Sequence, residues 1–282
     1  CCSRHPFVAI AAPREHAKST AITHAFTLAA VLFRVKSYVM IISDTEGQAM
    51  EFLADIRTEL EENDDLRELF EVDRFVKDNA ADLIVRFKDG HLARIRAFGA
   101  EQKVRGRKWR NKRPDLIVVD DLENDELVEN EDRREKLRSW FLKALLPCLS
   151  KHGHSRYVGT IRHLDSLLSR CLKSTTWVSR LYKAHKSFDS FTEILWPAQW
   201  PEERLRLKRQ MYIDDGFPEG YSQEYLNDPV DQSDPFFRKS DLVPMLPEDF
   251  RSFKTFYGAF DCAISDSRRA DFSVLLGGGL DS

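Results

Sequence analysis

Short apolar runs and helical patterns alternate through the first part of the chain. Phe7 to Ala12 (FVAIAA) and Ser37 to Ser43 (SYVMIIS) are apolar runs of the length that predicts buried strands. Apolar residues recur at helical spacing from Ala21 to Phe33, and a second helical pattern begins after Asp44, which can cap it. A strand–helix–strand–helix succession within about 60 residues favours parallel βαβ units.

Two further strands are predicted in the middle of the chain, the first of them buried. They are Asp115 to Val119 (DLIVV) and Arg156 to Thr160 (RYVGT), and a helix from about Glu129 to Leu149 is expected between them. Earlier in the chain, the dipeptide Asp89-Gly90 between two apolar stretches predicts a tight hairpin. The pattern therefore predicts an α/β fold with a mostly parallel sheet flanked by helices.

The pattern loosens after about residue 185, where prolines interrupt it. Short helices are predicted there from Glu202 to Tyr212 and from Gly220 to Asn227, and a new pair of strands from Thr255 to Ala263 and Phe272 to Gly277. We therefore expect three regions, namely an α/β core at residues 1–185, a lid or linker subdomain at 186–253 and the start of another domain at 254–282.

Composition and charge narrow the classes of function. The 282 residues carry 43 Lys and Arg against 46 Asp and Glu, a net charge of −3, and 42% are hydrophobic. Such a chain is too apolar to be disordered and is not uniformly basic, so a nucleic acid would have to bind a local basic surface. The longest apolar stretch, Ala21 to Phe33, is too short to span a bilayer, and no membrane partner is expected. Five cysteines form no C-x-x-C pair, which favours buried thiols over a zinc site.

The segment after the first strand carries a candidate phosphate loop. Residues 12–19 (APREHAKS) match the pattern G-x-x-x-x-G-K-[ST], except that alanines stand at the glycine positions. Lys18 is expected to neutralise the β- and γ-phosphates, Ser19 to ligate Mg²⁺ and Arg14 to add a second cation. The helix that follows offers unpaired N–H groups to phosphate oxygens. The candidate nucleotide-binding residues of this segment are Arg14, Glu15, His16, Ala17, Lys18, Ser19 and Thr20.

An acidic pair ends the predicted strand at Asp115 to Val119. Asp120 stands where the Mg²⁺ of a nucleotide site needs a carboxylate from a neighbouring strand. Hydrolysis also requires a group that orients and polarises the attacking water. Asp121 has the favoured position, and Glu123 competes with it because a longer side chain can reach back. The sequence leaves this choice open, and helix capping is the structural alternative for the acidic pair.

The strand from Arg156 to Thr160 ends in Val158-Gly159-Thr160, at the sheet edge where the other two features are expected. A hydroxyl after a flexible glycine can contact the γ-phosphate, so Thr160 joins the candidate nucleotide-binding residues. Taken singly, each feature is also compatible with an ordinary turn or a surface lysine. Together, in this order along the chain, they predict a nucleotide hydrolase.

These segments resemble the large terminase subunit of tailed bacteriophages, the motor that packages DNA into the procapsid. The resemblance covers about residues 7–276 and rests on PREHAKST, on RGRKWRNKRPDLIVVDDLEND, on YVGT, which matches the coupling motif, and on FYGAFDCAISDSRRADFSV, which matches the opening strands of the nuclease domain. It implies a P-loop (ASCE/RecA-like) ATPase domain followed by the start of an RNase H-like domain, with the nuclease incomplete in this chain.

The resemblance also implies roles and partners. ATP with Mg²⁺ would serve the ATPase, and Mg²⁺ or Mn²⁺ the endonuclease that cuts concatemeric DNA. Asp261 would be a catalytic residue and the first metal ligand of that nuclease, and Asp271 is a further candidate ligand. The implied partners are double-stranded DNA, the portal protein, the small terminase subunit and further copies of this chain in a pentameric ring on the procapsid. The implied location is the host bacterial cytoplasm.

Lys103 to Arg113 (KVRGRKWRNKR) is the most lopsided stretch of charge in the chain, with seven basic residues in eleven. It can contact a DNA backbone, with Trp109 packing or stacking, or form a solvated loop beside the nucleotide. A packaging ring would also need an arginine from a neighbouring subunit, for which Arg133, Arg134 and Arg138 are the candidates. The sequence leaves both questions open.

Two other classes of function stand as alternatives. A superfamily 2 helicase-like ATPase would need a second RecA-like domain with arginine-rich motifs, and the sequence of residues 190–282 shows none. A non-catalytic DNA-binding scaffold stays open, because the two alanines of the phosphate loop restrict the backbone near the phosphates. The terminase motor is the leading hypothesis.

Overall fold

The chain divides by its packing into two units, Cys1–Asp231 and Gln232–Ser282. A computed structural model describes residues 4–229, 255–261 and 274–280. Within those residues, the first unit contains an eight-stranded sheet and the second unit a two-stranded sheet. The boundaries expected between a core, a lid and a further domain stay predictions.

A mostly parallel sheet forms the centre of the first unit. Its strands are β1 (Phe7–Ala11), β2 (Tyr38–Ser43), β3 (Val72–Asn79), β4 (Asp82–Phe87), β5 (Leu92–Gly99), β6 (Leu116–Asp120), β7 (His154–Gly159) and β8 (Val178–Leu181). Their order across the sheet is β3-β4-β5-β2-β6-β7-β1-β8. The six strands from β5 to β8 in this order run parallel, whereas β3 and β4 are antiparallel additions. The predicted α/β fold is therefore confirmed.

Helices flank this sheet and form the remainder of the first unit. They are α1 (Thr27–Leu32), α2 (Glu46–Glu62), α3 (Asp64–Leu69), α4 (Asp125–Glu129), α5 (Glu131–Trp140), α6 (Leu167–Lys173), α7 (Glu202–Asp214) and α8 (Pro218–Leu226). A π-helical segment, Thr20–Phe26, leads into α1, and another, Phe141–Leu145, continues α5 before a 3-10 turn at Leu146–Cys148. None of the helices in the described residues is long and apolar enough to cross a membrane.

Alternate residues of the central strands enter two separate cores. In β2, Val39 and Ile41 belong to the core under α1 and α2. Met40 and Ile42 belong to the opposite core, under α5 and α6. All four side chains are fully buried, so a register slip of one residue would place each of them in the wrong core.

The cap predicted for α2 is wrong by one residue. Thr45, rather than Asp44, caps the helix, because the Thr45 hydroxyl accepts the Gln48 N–H at 3.2 Å. The Asp44 carboxylate instead accepts hydrogen bonds from the Asn124 amide at 2.9 and 3.1 Å. The Asp44 carboxylate therefore binds Asn124 at the sheet edge and does not cap α2.

The prediction also lacks α6 and β8, and two further regions differ from it. The helix expected from about Glu129 to Leu149 begins at Glu131, because Asn130 has an extended backbone and caps α5 by accepting the Arg133 N–H at 3.1 Å. β3 is absent from the prediction because it is an edge strand. Its side chains are mostly exposed and polar, so it lacks the apolar run that marks a buried strand.

The segment that contains α7 and α8 has a small core of its own. Tyr221 and Tyr225 stack with their ring centroids 4.9 Å apart, and Trp200 meets the Tyr225 ring edge-on at 5.8 Å. These two helices confirm the short helices predicted after residue 185. Up to residue 229, the region packs around these apolar residues.

In the second unit, β9 (Thr255–Asp261) and β10 (Val274–Leu280) pair in antiparallel fashion, with Asp261 opposite Val274. The strand pair predicted from the sequence is confirmed to this extent. The further candidate ligand Asp271 lies outside the described residues.

Candidate nucleotide-binding site

The loop between β1 and the first helix is tight and partly left-handed. Its Ala12 N–H donates to the Gly159 carbonyl at 3.0 Å. Glu15 and Ala17 have positive φ angles of 58° and 55°. Ala17 occupies the second glycine position of the phosphate-loop pattern, and a left-handed backbone costs a residue with a Cβ roughly 1–2 kcal/mol. The alanine therefore takes the conformation of a glycine at an energetic cost.

Asp120 ends β6, is fully buried and is held by two hydroxyls of the helix that follows the loop. Ser19 Oγ donates to Asp120 Oδ1 at 3.1 Å, and Thr23 Oγ1 donates to Asp120 Oδ2. Burial, with the nearby Asp121 charge, raises the pKa of the Asp120 carboxyl to about 6, although both hydroxyls and Lys18 oppose the rise. The loop and the acidic strand end thus meet across β7, which lies between β1 and β6.

Asp121 connects the loop lysine with the end of β7. Its Oδ2 lies 3.1 Å from Lys18 Nζ, and its Oδ1 accepts the Thr160 N–H at 3.2 Å. Gly159 leaves room for this approach, because a Cβ added there would stand 3.2 Å from Asp121 Oδ1. Thr160 Oγ1 in turn donates to the Ala12 carbonyl at 3.3 Å. The three segments singled out from the sequence therefore meet at one edge of the sheet.

Glu123, the competing carboxylate, holds the beginning of α6. Its Oε1 accepts the Leu167 N–H at 2.7 Å, and its Oε2 accepts the Leu168 N–H and the Tyr157 hydroxyl, each at 3.0 Å. Burial raises the pKa of Glu123, and these donors oppose the rise. Only 6% of Glu123 is exposed, whereas 20% of the Asp121 side chain is.

A polar cavity of about 250 Å³ adjoins these residues. It is lined by Arg14, Lys18, Asp44, Gln48, Asp121, Glu123, Asn124, Thr160, Arg162 and Glu224. Cations and carboxylates are mixed along its walls, which suits a phosphate chain accompanied by a divalent metal.

Several residues of the site are not among those predicted from the sequence. Asp44 and Asn124 follow the ends of β2 and β6, and the shared edge of parallel strands is a signal that could have found them. Thr23 stands four residues after Ser19, which places both hydroxyls on one face of a helix. Glu224 comes from α8, and no local signal in the sequence connects that helix with the phosphate loop.

A second cavity, apolar and about 460 Å³ in volume, lies beside the first, and Lys18 lines both. Its walls come from β1, from the start of the first helix and from the loop with Trp196. Tyr182 and Trp196 line it with 41% and 39% of their surfaces exposed. Trp200, in contrast, is buried in the small core of the α7–α8 segment.

The remaining loop residues have different surroundings. His16 stacks on Trp200 with the ring centroids 5.5 Å apart, and its Nδ1–H donates to the Arg14 carbonyl at 2.8 Å. Burial lowers the pKa of His16, which favours the neutral imidazole. Glu15 and Thr20 are exposed and line neither cavity.

Ser19 and Asp120 supply oxygen ligands that fit Mg²⁺. Mg²⁺ binds proteins through one or two carboxylates, with water and phosphate oxygens completing its coordination. Ser19 Oγ and Asp120 Oδ1 lie 3.1 Å apart, so one Mg²⁺ would contact both by replacing the hydrogen bond between them. Among the described residues, no group of three or more His, Cys, Asp or Glu is arranged to hold a metal ion. Asp261, the predicted nuclease ligand, ends β9.

Solved structures of phage packaging proteins share this architecture. The ATPase domain of the large terminase of Thermus phage P74-26 matches 81% of this chain and 90% of its own, with a TM-score of 0.58 and 18% sequence identity. The chain has the large-terminase ATPase fold. A mutant of that domain gives the same values, and a large terminase from a thermophilic bacteriophage matches 93% of this chain and 58% of its own, with a TM-score of 0.51 and 12% identity. No family model and no curated protein matches the sequence.

In this terminase ATPase fold, residues 103–113 form an exposed basic loop. All seven of its Lys and Arg residues are exposed, and none pairs with an acidic side chain of the described residues. Trp109 packs against Tyr38 with the ring centroids 6.2 Å apart. The turn at Arg110-Asn111, with φ angles of 50° and 61°, presents its residues to solvent. Trp109 thus anchors the loop to the sheet, and the cations are exposed, although Arg105, Arg107 and Arg113 also donate to backbone carbonyls.

Each arginine that was a candidate for action in a neighbouring subunit pairs with an acid of its own unit. The pairs are Arg133 with Glu126, Arg134 with Asp165 and Arg138 with Glu135. The role of these arginines in a neighbouring subunit stays a prediction.

Replacing Ala17 by glycine is expected to stabilise the protein by about 1 kcal/mol, because glycine adopts the left-handed backbone without steric cost. Ala54→Gly is the matched control. Ala54 lies inside α2, where glycine should destabilise by roughly 0.5–1 kcal/mol. The free energy of unfolding is measured by urea denaturation. Equal destabilisation by both changes would contradict the left-handed conformation of Ala17.

Glu123→Ala is expected to lower the free energy of unfolding by about 1–3 kcal/mol, because it leaves the N–H groups of α6 and the Tyr157 hydroxyl without their acceptor. Glu126→Ala is the control, since 85% of the Glu126 side chain is exposed, and its effect should stay within about 0.5 kcal/mol. Indistinguishable stabilities of the two variants would show that Glu123 does not hold α6.

Proposed function

We propose that this chain is the ATPase motor of a large terminase, which hydrolyses ATP to drive viral DNA into a procapsid. The observation that supports it best is the junction at one sheet edge of Lys18 and Ser19 from the phosphate loop with Asp120 and Asp121 from β6. Phosphoryl transfer requires a cation at the phosphates, a ligand for the metal and a group that orients water, all in one place. The shared fold favours the activity of that family.

The two cavities that meet at Lys18 suit the two halves of a nucleotide. The apolar cavity, with Tyr182 and Trp196 in its wall, offers aromatic surface to a base and sugar. The polar cavity offers Lys18 to the phosphates. Mg²⁺, held by Ser19 and Asp120, would supply neutralisation of the phosphate charge.

Asp121 is the carboxylate that we assign to the attacking water. It lines the polar cavity, and its partner Lys18 can turn to a phosphate, which frees Asp121 Oδ2 to accept a hydrogen bond from water. The Thr160 N–H keeps the other oxygen in place. Both oxygens of Glu123 are already used by α6 and Tyr157, so Glu123 serves as a support.

The basic loop at residues 103–113 is the surface that we assign to double-stranded DNA. Exposed cations that lack acidic partners among the described residues attract the phosphate backbone irrespective of base sequence. We further propose that the chain forms a pentameric ring on the procapsid in the host cytoplasm, where it binds the portal protein and the small terminase subunit. A metal-dependent endonuclease that uses Asp261 would cut the DNA. This last part rests on the resemblance of the sequence motifs.

Lys18→Ala is expected to lower the rate of ATP turnover about 10²–10³-fold, because a preorganised cation at the phosphates is lost. Asp121→Asn, which keeps the size but removes the charge, should lower it at least about 10²-fold. Turnover is measured as phosphate release with and without double-stranded DNA. Lys136→Ala is the control, because 72% of that side chain is exposed, on α5.

The same measurement distinguishes the motor from its alternatives. Absence of turnover in the unmodified chain, or turnover that neither change reduces, would favour a non-catalytic DNA-binding scaffold. Turnover stimulated by DNA alone also fits a helicase-like ATPase, whereas stimulation by procapsids that carry a portal is specific to a packaging motor.

The double variant Lys108→Gln and Arg110→Gln is expected to bind double-stranded DNA more weakly and with a smaller dependence on salt. Each phosphate contact that is lost should reduce the slope of log affinity against log salt by about 0.9. Arg74→Gln with Lys88→Gln is the matched control, since it removes the same charge from exposed positions at β3 and at the β4–β5 turn. Fluorescence anisotropy of a labelled duplex measures the DNA affinity of each double variant and its dependence on salt. Equal losses of affinity in the two double variants would contradict the assignment of the basic loop to DNA.

A further inference from the structure

Arg162 is a third cation at the polar cavity, beyond those of the phosphate loop. It follows Thr160 by two residues, and 18% of its side chain is exposed. Its Nη1 donates to the two oxygens of Asp125 at 2.8 and 3.0 Å and to Glu224 Oε1 at 3.4 Å. Its Nε is buried and has no hydrogen-bond partner among the described residues. The hydrogen-bonding capacity of this guanidinium is therefore only partly used by the described residues.

Glu224 enters the cavity from α8 and is shared between two arginines. Its Oε1 lies 3.4 Å from Arg162 Nη1 and 3.7 Å from Arg14 Nη1. The Glu224 carbonyl also accepts the Arg14 N–H at 2.8 Å, and only 10% of the side chain is exposed. A single carboxylate oxygen thus holds one arginine of the phosphate loop and one that follows β7.

We propose that Arg162 exchanges partners when nucleotide binds: it leaves Glu224 and contacts the terminal phosphate of ATP. Glu224 is then a positioning residue, which keeps the guanidinium at the cavity wall while the terminal phosphate is absent. The inference rests on the proposed ATPase function and adds to it the residue by which the site distinguishes ATP from ADP.

A terminal phosphate is a stronger partner for this guanidinium than Glu224. It carries more charge than a carboxylate, and its three oxygens allow a bidentate contact that uses Nε together with an Nη group. Glu224 offers one oxygen at 3.4 Å, which is long for a hydrogen bond between charged groups. Asp125 is better placed, but 63% of its side chain is exposed, so water and salt screen its attraction.

The test compares two ligands in the full chain, ADP and a non-hydrolysable ATP analogue, each with Mg²⁺ and measured by calorimetry. Arg162→Gln is expected to weaken binding of the analogue about tenfold or more, the size of a lost hydrogen bond to a charged group, and to change ADP affinity less than about threefold. Arg57→Gln is the matched control. Arg57 lies on α2, is 21% exposed and pairs with Asp78, and its replacement should leave both affinities unchanged.

Glu224→Gln tests the competition between carboxylate and phosphate. It removes one of the two negative charges that hold Arg162, the less exposed one, and keeps the size of the side chain, so the analogue should bind severalfold more tightly than to the unmodified chain. In the double variant with Arg162→Gln, this gain should disappear, because the residue that is released is no longer present. Thermal unfolding of every variant separates a change in binding from a loss of fold.

The possible results separate this inference from the proposed function. An unmodified chain that binds neither ligand overturns both. Binding of both ligands by the unmodified chain, with equal losses for ADP and the analogue in Arg162→Gln, leaves the ATPase proposal standing and overturns the role of Arg162. A gain in Glu224→Gln that persists in the double variant overturns the exchange of partners.

Discussion

The burial of the Asp120 carboxylate is the constraint on which the candidate site depends. A buried carboxylate is tolerated only when hydrogen-bond donors or cations surround it, and here the donors are Ser19 and Thr23 of the helix after the phosphate loop. In the sheet, β7 lies between β6 and β1, the strand that leads into the loop. These two bonds therefore fix the loop to a strand that is not adjacent to β1. Burial and the neighbouring Asp121 charge raise the pKa of Asp120, and the two hydroxyls oppose that rise.

Much of the fold could be predicted because buried parallel strands are apolar throughout. β1, β2 and β6 each show this as a short, mostly aliphatic run, whereas the buried strand β7 also contains Ser, Arg and Tyr. The site at their carboxyl ends was also predictable, since parallel strands bring the residues that follow them to one edge. β3 could not be found in this way, because its exposed face is charged. The meeting of Arg162 with Glu224 depends on how α8 packs against the core, which no local pattern encodes.

The roles of the neighbouring carboxylates were harder to predict than their position. Asp121 has a left-handed backbone with φ of 42°, which turns its side chain towards Lys18 and the end of β7. Glu123, two residues further on, turns under α6 and accepts backbone N–H groups there. The deciding quantity is the direction in which the chain leaves β6, and sequence spacing does not determine it.

The helix after the phosphate loop serves two surfaces at once. Ser19 and Thr23 hold the buried carboxylate, while Leu28 and Val31 further along lie in the core under α2. The π-helical winding of Thr20–Phe26 places an extra residue between the two surfaces. One residue of an α-helix corresponds to a turn of about 100°. If one residue of this segment were deleted while Ser19 and Thr23 kept their bonds to Asp120, Leu28 and Val31 would rotate away from the core. The rotational position of the whole helix is therefore set next to the phosphate loop.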